Sequence, residues 1–203
     1  MKKIGTRAYI KSLLKDPSVA SITPTSNFGI KKLINTIDFE KTRLIVEYGP
    51  GGGVITKELL KRMHPDAKLI AIEQNRNFAN VLTTNFDDPR LIIVNDSAEN
   101  VEEIILQQVN LGKIDSKKAT HIISGIPFSM FPLELKNKIL LATQKSIQEG
   151  GSFLVYQFLV SLSGGKNDIK RKMREFFDIQ RSEVELRNVP PLRIFEGLPK
   201  SLT

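Results

Sequence analysis

Short runs of aliphatic and β-branched residues recur at Leu44–Tyr48, Leu69–Glu73, Leu91–Val94, His121–Ile126 and Ser152–Phe158, with segments of helical spacing between them. That alternation predicts a parallel sheet covered by helices. The clearest helices are Thr56–Met63, which follows a glycine cluster and stops before Pro65, and Pro132–Gln148, with Leu133, Leu135, Ile139, Leu140 and Ile147 apolar. Gly150-Gly151 reads as the stop of the second helix, while Leu111-Gly112 and Ser163-Gly164-Gly165 read as turns. After Phe158 the rhythm changes. Phe177–Arg187 and Arg193–Leu198 are extended runs joined by Asn188–Leu192, a connection too short for a crossover and suited to a hairpin. The expected fold is therefore α/β and Rossmann-like: a seven-stranded, mostly parallel sheet with an antiparallel C-terminal hairpin and helices on both faces. No repeat or linker interrupts it, so 1–203 reads as a single domain with a basic amphipathic helical extension over 1–40.

Composition narrows the chemistry. The 203 residues contain no cysteine and two histidines, which removes disulfide frameworks, thiolate zinc sites and cysteine nucleophiles and leaves no metal site expected. No apolar run approaches the ~20 residues of a bilayer span, and Met1-Lys2-Lys3 lacks the apolar segment of a signal peptide. A cytoplasmic protein, soluble or peripheral to a membrane, is expected. The net charge of +8 is concentrated in two places: residues 1–43, with nine basic against three acidic side chains, and Lys166–Arg174, with five against one.

The strongest chemical signal is Val46-Glu47-Tyr48-Gly49-Pro50-Gly51-Gly52-Gly53, at the end of the first strand and opening a helix. Glycines there permit a tight turn and close approach of a ligand. The dinucleotide fingerprint would need glycine where Val54 stands, and a phosphate-binding loop at Gly165-Lys166 fails because Asn167 follows. Glu47, two residues before the first glycine, suits a ligand carrying an amino group. Glu73, at the end of the second strand, stands where α/β nucleoside sites place a carboxylate against ribose hydroxyls. Asp96, ending the third strand, could accept from an adenine amino group, with backbone groups of Ser97 and Ala98 beside it. All three lie at successive strand ends and so face one crevice.

Glu47-x-Gly49-x-Gly51-x-Gly53, Glu73 and Asp96 resemble the cofactor motifs of class I S-adenosylmethionine-dependent methyltransferases, whose sheet also has seven strands. Ser21–Ser26, Ser124-Gly125-Ile126-Pro127 and Arg187-Asn188-Val189-Pro190-Pro191-Leu192-Arg193 resemble motifs of bacterial phospholipid N-methyltransferases, so the likeness spans nearly the whole chain. It implies S-adenosylmethionine as cofactor, held by Glu47, Gly49, Gly51, Gly53, Glu73, Gln74, Asp96, Ser97 and Ser124. It also implies methylation of a phospholipid headgroup amine, phosphatidylethanolamine and its methylated intermediates, at the inner membrane face. The ribosomal RNA adenine dimethyltransferases are a sister family with Asn-Leu/Ile-Pro-Tyr/Phe after the fourth strand, where the amide and the aromatic ring hold a flipped adenine. Here Gly125 replaces the Asn, and Phe128 keeps the aromatic ring. RNA and other amines, such as an ornithine lipid, remain the alternative acceptors.

Methyl transfer to an amine needs positioning and water exclusion more than acid–base side chains. Tyr48, Gly125, Ile126, Pro127 and Phe128 are the candidates around the amine, and Phe128, Phe131 and Tyr156 could cradle a methylated ammonium by cation–π attraction or simply pack in the core. The resemblance points to Arg187 and Arg193 as a phosphate clamp; pairing with Glu183, Glu185 or Glu196 is the structural alternative. On a helix, Arg7, Lys11 and Lys15 form a basic stripe beside apolar Tyr9, Ile10, Leu13 and Leu14, a pattern suited to an anionic membrane surface or to packing on the domain. Lys170-Arg171-Lys172-Arg174 is a second such candidate or a solvated helix face.

Overall fold

A computed structural model describes residues 25–159 and 169–201. The basic stripe of Arg7, Lys11 and Lys15 with Leu14 of its apolar face, the Ser21–Pro24 part of the N-terminal motif and the Ser163–Gly165 turn lie outside the described residues. The elements run α1 (Asn27–Ile34), β1 (Leu44–Tyr48), α2 (Val54–Arg62), β2 (Lys68–Ile72), α3 (Arg76–Asn85), β3 (Leu91–Val94) and α4 (Val101–Asn110). They continue as β4 (Ala119–Ser124), α5 (Leu133–Ser146), β5 (Ile147–Phe158), α6 (Ile169–Phe176), β6 (Phe177–Glu185) and β7 (Leu192–Pro199), with single 3-10 turns at Ala98–Asn100 and Phe128–Met130.

The strands form one sheet in the order β3-β2-β1-β4-β5-β7-β6. β1 to β5 are parallel; β7 runs antiparallel to β5, and β6 antiparallel to β7. This is the expected seven-stranded arrangement. The chain reverses its direction of travel across the sheet between β1 and β4, which leaves a crevice at the carboxyl ends of these strands, where ligands of open α/β sheets bind.

Side chains of successive strand residues point to opposite faces, and this sorts the core into two layers. Val46, Tyr48, Phe153, Val155 and Phe195 pack with α4, α5 and α6. Ile45, Leu154, Tyr156 and Ile194 pack with Ile30, Leu33 and Ile34 of α1 and Ile55 and Leu59 of α2. Burying such side chains contributes about 1.5–3 kcal/mol each. Ser26 caps α1, its Oγ accepting from the Gly29 N–H at 3.2 Å, and Asn75 caps α3, accepting from the N–H groups of Asn77 and Phe78.

The boundary that departs most from the sequence expectation lies between α5 and β5. α5 ends at Ser146 and β5 begins at once with Ile147, so Gly150-Gly151 lies inside the strand and does not end the helix. Gly150 has φ +75°, the register between β4 and β5 shifts between Ala119 and His121, and a Cβ on Gly151 would stand 2.3 Å from the Thr120 carbonyl oxygen. The glycine pair lets the two backbones approach at an irregular crossing.

Candidate active site

The turn after β1 is built on glycines with left-handed backbones. Gly49 and Gly53 have φ of +65° and +78°; a Cβ on Gly49 would lie 2.8 Å from Ile126 Cγ2, and one on Gly53 would lie 2.5 Å from Phe86 Cε2. Gly53 is also the N-cap of α2. Gly51 donates its N–H to Glu73 Oε2 at 3.0 Å, and Glu73 Oε1 accepts from Asn75 N–H at 2.9 Å. One carboxylate thus fastens the glycine turn to the start of α3. Burial raises the Glu73 pKa against these two donors.

Glu47 is almost fully buried at the base of the turn. Thr56 in α2 donates its hydroxyl to Oε2 at 2.7 Å, and no cation pairs with the carboxylate among the described residues. Burial pushes its pKa up to about 7, with the Thr56 hydrogen bond opposing and the charge of Glu73 adding to the rise. A buried carboxylate without a cationic partner is costly to ionise. At the end of β3, Asp96 Oδ1 accepts from Ser97 N–H at 2.6 Å and from the Asn100 amide at 2.8 Å. Asn95 donates its amide to the carbonyls of Glu73 and Gln74, joining the ends of β2 and β3. The Gln74 side chain is exposed. Ser124, the last residue of β4, is buried with no hydrogen-bond partner for Oγ. Glu47, Gly49, Gly51, Gly53, Glu73, Asp96, Ser97 and Ser124 are therefore all brought to one end of the sheet.

The loop after β4 is shaped by Tyr156. A Cβ on Gly125 would lie 2.1 Å from the Tyr156 hydroxyl oxygen, so the phenol occupies the space that any larger residue at 125 would claim. Gly125 N–H donates to the Tyr48 carbonyl at 3.0 Å, and Ile126 and Pro127 border the turn half-buried.

Three expectations are corrected. Tyr48 does not reach the crevice: its side chain is fully buried on the α5 side of the sheet, the hydroxyl pairs with Thr143 Oγ1 at 3.1 Å, and burial raises its pKa. Phe128 is likewise core, fully buried and packed edge-on against Phe131 with centroids 6.1 Å apart. Arg187 is held by Glu185, Nε to Oε1 at 2.8 Å and Nη2 to Oε2 at 2.9 Å, and stacks over Phe28 at 4.5 Å. That guanidinium holds the Glu185 carboxyl down at about 2. Arg193, by contrast, is exposed and forms no ion pair among the described residues. On α6, Lys172 pairs with Glu175 at 2.5 Å and Lys170 donates to Ser182 at 3.0 Å, as on a solvated helix face. A polar cleft of about 420 Å³ between α6 and β6 lies toward the other end of the sheet from the glycine turn.

Thr56, Asn75 and Asn95 were not legible as site residues. Asn75 alone carried a signal, an N-cap residue directly ahead of a helical run.

A glycine turn closing over two buried carboxylates at the switch point of this sheet defines a class I S-adenosylmethionine-dependent methyltransferase. The family described as ribosomal RNA adenine dimethylase matches residues 24–147, and the chain belongs to that family. It is 28% identical over 182 residues to an ornithine lipid N-methyltransferase of Singulisphaera acidiphila, covering 86% of this chain and 85% of that protein. It is 37% identical over 99 residues to the ribosomal RNA small subunit methyltransferase A of Mycoplasma capricolum subsp. capricolum, covering 49% of this chain but only 34% of that protein. Its fold is that of the glycopeptide N-methyltransferase MtfA crystallised with S-adenosylmethionine, with TM-score 0.64 and 10% identity over 86% of this chain and 95% of that one.

Proposed function

We propose that the protein methylates the amine of a lipid headgroup, of the phosphatidylethanolamine or ornithine-lipid type, at a membrane surface. The observation that carries this reading is the acceptor side of the crevice. Gly125 offers no side chain, the Tyr156 phenol fills its place, and Phe128 is sealed in the core. A flat nucleobase needs an amide to orient its exocyclic amine and an open ring to stack on; a slender primary amine needs only a narrow opening. Likeness to the ornithine lipid enzyme over 86% of the chain supports the same reading.

When bound, S-adenosylmethionine supplies a methyl group made electrophilic by its sulfonium. The residues present fit that cofactor. Glu47 would neutralise its amino group, Glu73 would accept from the ribose hydroxyls, and Asp96 with Ser97 would face the base. Ser124 Oγ, buried without a partner, is available to hydrogen-bond what enters beside it. The acceptor ammonium must shed one proton before its nitrogen can attack, and burial of that amine beside Ile126, Pro127 and Tyr156 would favour the neutral form. Arg193, exposed and with no ion pair among the described residues, is the better placed of the two arginines for a phosphate or carboxylate on the lipid, because Arg187 already serves Glu185.

The second reading is RNA, which the family match and the net charge of +8 favour. Transfer of labelled methyl to vesicles containing phosphatidylethanolamine or ornithine lipid, against unmodified ribosomal RNA, separates them. Label in lipid supports the proposal; label in RNA alone overturns it.

A further inference from the structure

The tip of the β6–β7 hairpin leaves apolar side chains in water at the active end of the sheet. Leu192 pairs with Phe158, so the 186–191 turn stands at the carboxyl end of β5, the same end as the glycine turn, and the Leu159 N–H donates to the Pro191 carbonyl at 2.8 Å. There Leu186 is 73% exposed, Val189 83% and Phe28, in the first turn of α1, 52%. Leu159, ending the same cluster, is partly exposed. Apolar residues gathered at one edge in this way mark a contact surface.

The turn is also held rigid. Asn188 is fully buried, its Oδ1 accepts the Ser26 N–H at 2.6 Å, and its amide donates to the Pro190 carbonyl at 2.6 Å. Leu186 and Val189 on either side are thereby pointed outward at little further entropic cost to a partner. The charge around the tip has one sign to spare. Glu183 and Glu185 are engaged by Lys32, Arg181 and Arg187, while Lys31 and Arg193 are exposed cations with no ion pair among the described residues. An aliphatic tip rimmed by unmatched cations is complementary to an anionic bilayer: acyl chains receive the leucine and valine, and lipid phosphates receive the lysine and arginine. RNA would be met by exposed planar rings, and this tip is mainly aliphatic.

We propose that the β6–β7 tip, with Phe28 beside it, inserts into the surface of an anionic membrane and sets the mouth of the crevice against the headgroups. The inference rests on the lipid reading above and names the surface that delivers it. The chain contains no tryptophan, so Leu186→Trp gives a single indole reporter in the full-length protein. The probe is vesicles of phosphatidylglycerol and phosphatidylcholine with no aminolipid. The expected result is a blue shift of the indole emission on vesicle addition and quenching by lipids brominated along the acyl chain. Leu186→Ser with Val189→Ser should lower vesicle partitioning at least tenfold, with melting temperature and cofactor affinity unchanged.

An indole that stays in water while the Leu186→Trp protein sediments with vesicles overturns the proposal, as does undiminished partitioning of the double variant. A wild-type dimer in light scattering that the double variant makes monomeric also overturns it, because the tip then serves a second copy. Docking through the tip with no methyl in aminolipid fails the functional reading alone. Equal methylation of aminolipid vesicles by wild type and double variant fails the docking alone.

Discussion

Glu47→Gln separates what burial costs the fold from what it offers a ligand. The side chain keeps its shape, and the Thr56 hydroxyl can still donate to the amide oxygen, but the ionisable proton is gone. In the folded protein this carboxyl titrates at about 7 against a reference of 4.5. Between those values the native state retains a proton that the unfolded chain has released, so stability falls as pH rises across the window and levels off above it. At about 1.4 kcal/mol per unit, the loss reaches roughly 3 kcal/mol, or about 6–12 °C in Tm for a chain of this size. The Gln variant carries no such slope. Its Tm should match the wild type near pH 4.5, exceed it increasingly up to about pH 7 and keep a constant lead above that, measured by thermal melts without cofactor.

Binding should move the other way. Affinity of the wild type for S-adenosylmethionine should climb between pH 5.5 and 7 as Glu47 ionises to meet the amino group, with proton release visible in calorimetry with two buffers. The Gln variant should bind about 10- to 100-fold more weakly at pH 7, the worth of a charged hydrogen bond. Parallel stability profiles for the two proteins would refute the buried-acid reasoning, and equal affinities would remove Glu47 from the cofactor site.

Tyr48→Phe deletes the hydroxyl paired with Thr143 and should cost about 1 kcal/mol in denaturant titrations, with methyl transfer unchanged; lost transfer in a folded variant would return Tyr48 to the site. Gly125→Ala drives a methyl against the Tyr156 hydroxyl and should destabilise by about 1–3 kcal/mol. In a double-mutant cycle Tyr156→Ala should relieve most of that cost, and simple additivity would contradict the packing described. Asn188→Ala leaves the Ser26 N–H and the Pro190 carbonyl without their partner and should cost about 1–3 kcal/mol, a loss that urea unfolding would register and whose absence would show that the tie is dispensable.

Much of the architecture was legible because it rests on periodicity. β1 and β3 occupy the bounds that their apolar runs mark, and the short link after Glu185 forced a hairpin. The α5–β5 boundary was not legible, because Ile147 satisfies the helical and the strand pattern alike and a glycine pair reads as a stop until the Thr120 carbonyl facing it is known. At the site, the motif led to Glu47, Glu73 and Asp96, since strand ends converge by topology. Tyr48 was misplaced although a signal was present: adjacent strand residues face opposite sides, so Glu47 and Tyr48 could not both face α2. Arg187 is taken up by Glu185, a partner only two residues away that the sequence itself offered, whereas the full burial of Phe128 depended on tertiary packing that no local pattern announces.

The position of β7 has a consequence for how the chain comes together as it is made. β6 touches the sheet only through β7, which follows it in sequence yet lies between it and β5. For the about one to three seconds that translation takes from Glu185 to Pro199 at ordinary rates, β6 has no partner and the edge of β5 stays open. Asp178, Gln180, Arg181, Ser182 and Glu183 put charge or polarity at most positions of that waiting strand. Such residues keep an unpaired edge from joining its counterpart in another nascent copy. The polar face of β6 thus guards the molecule during the interval before its own last strand arrives.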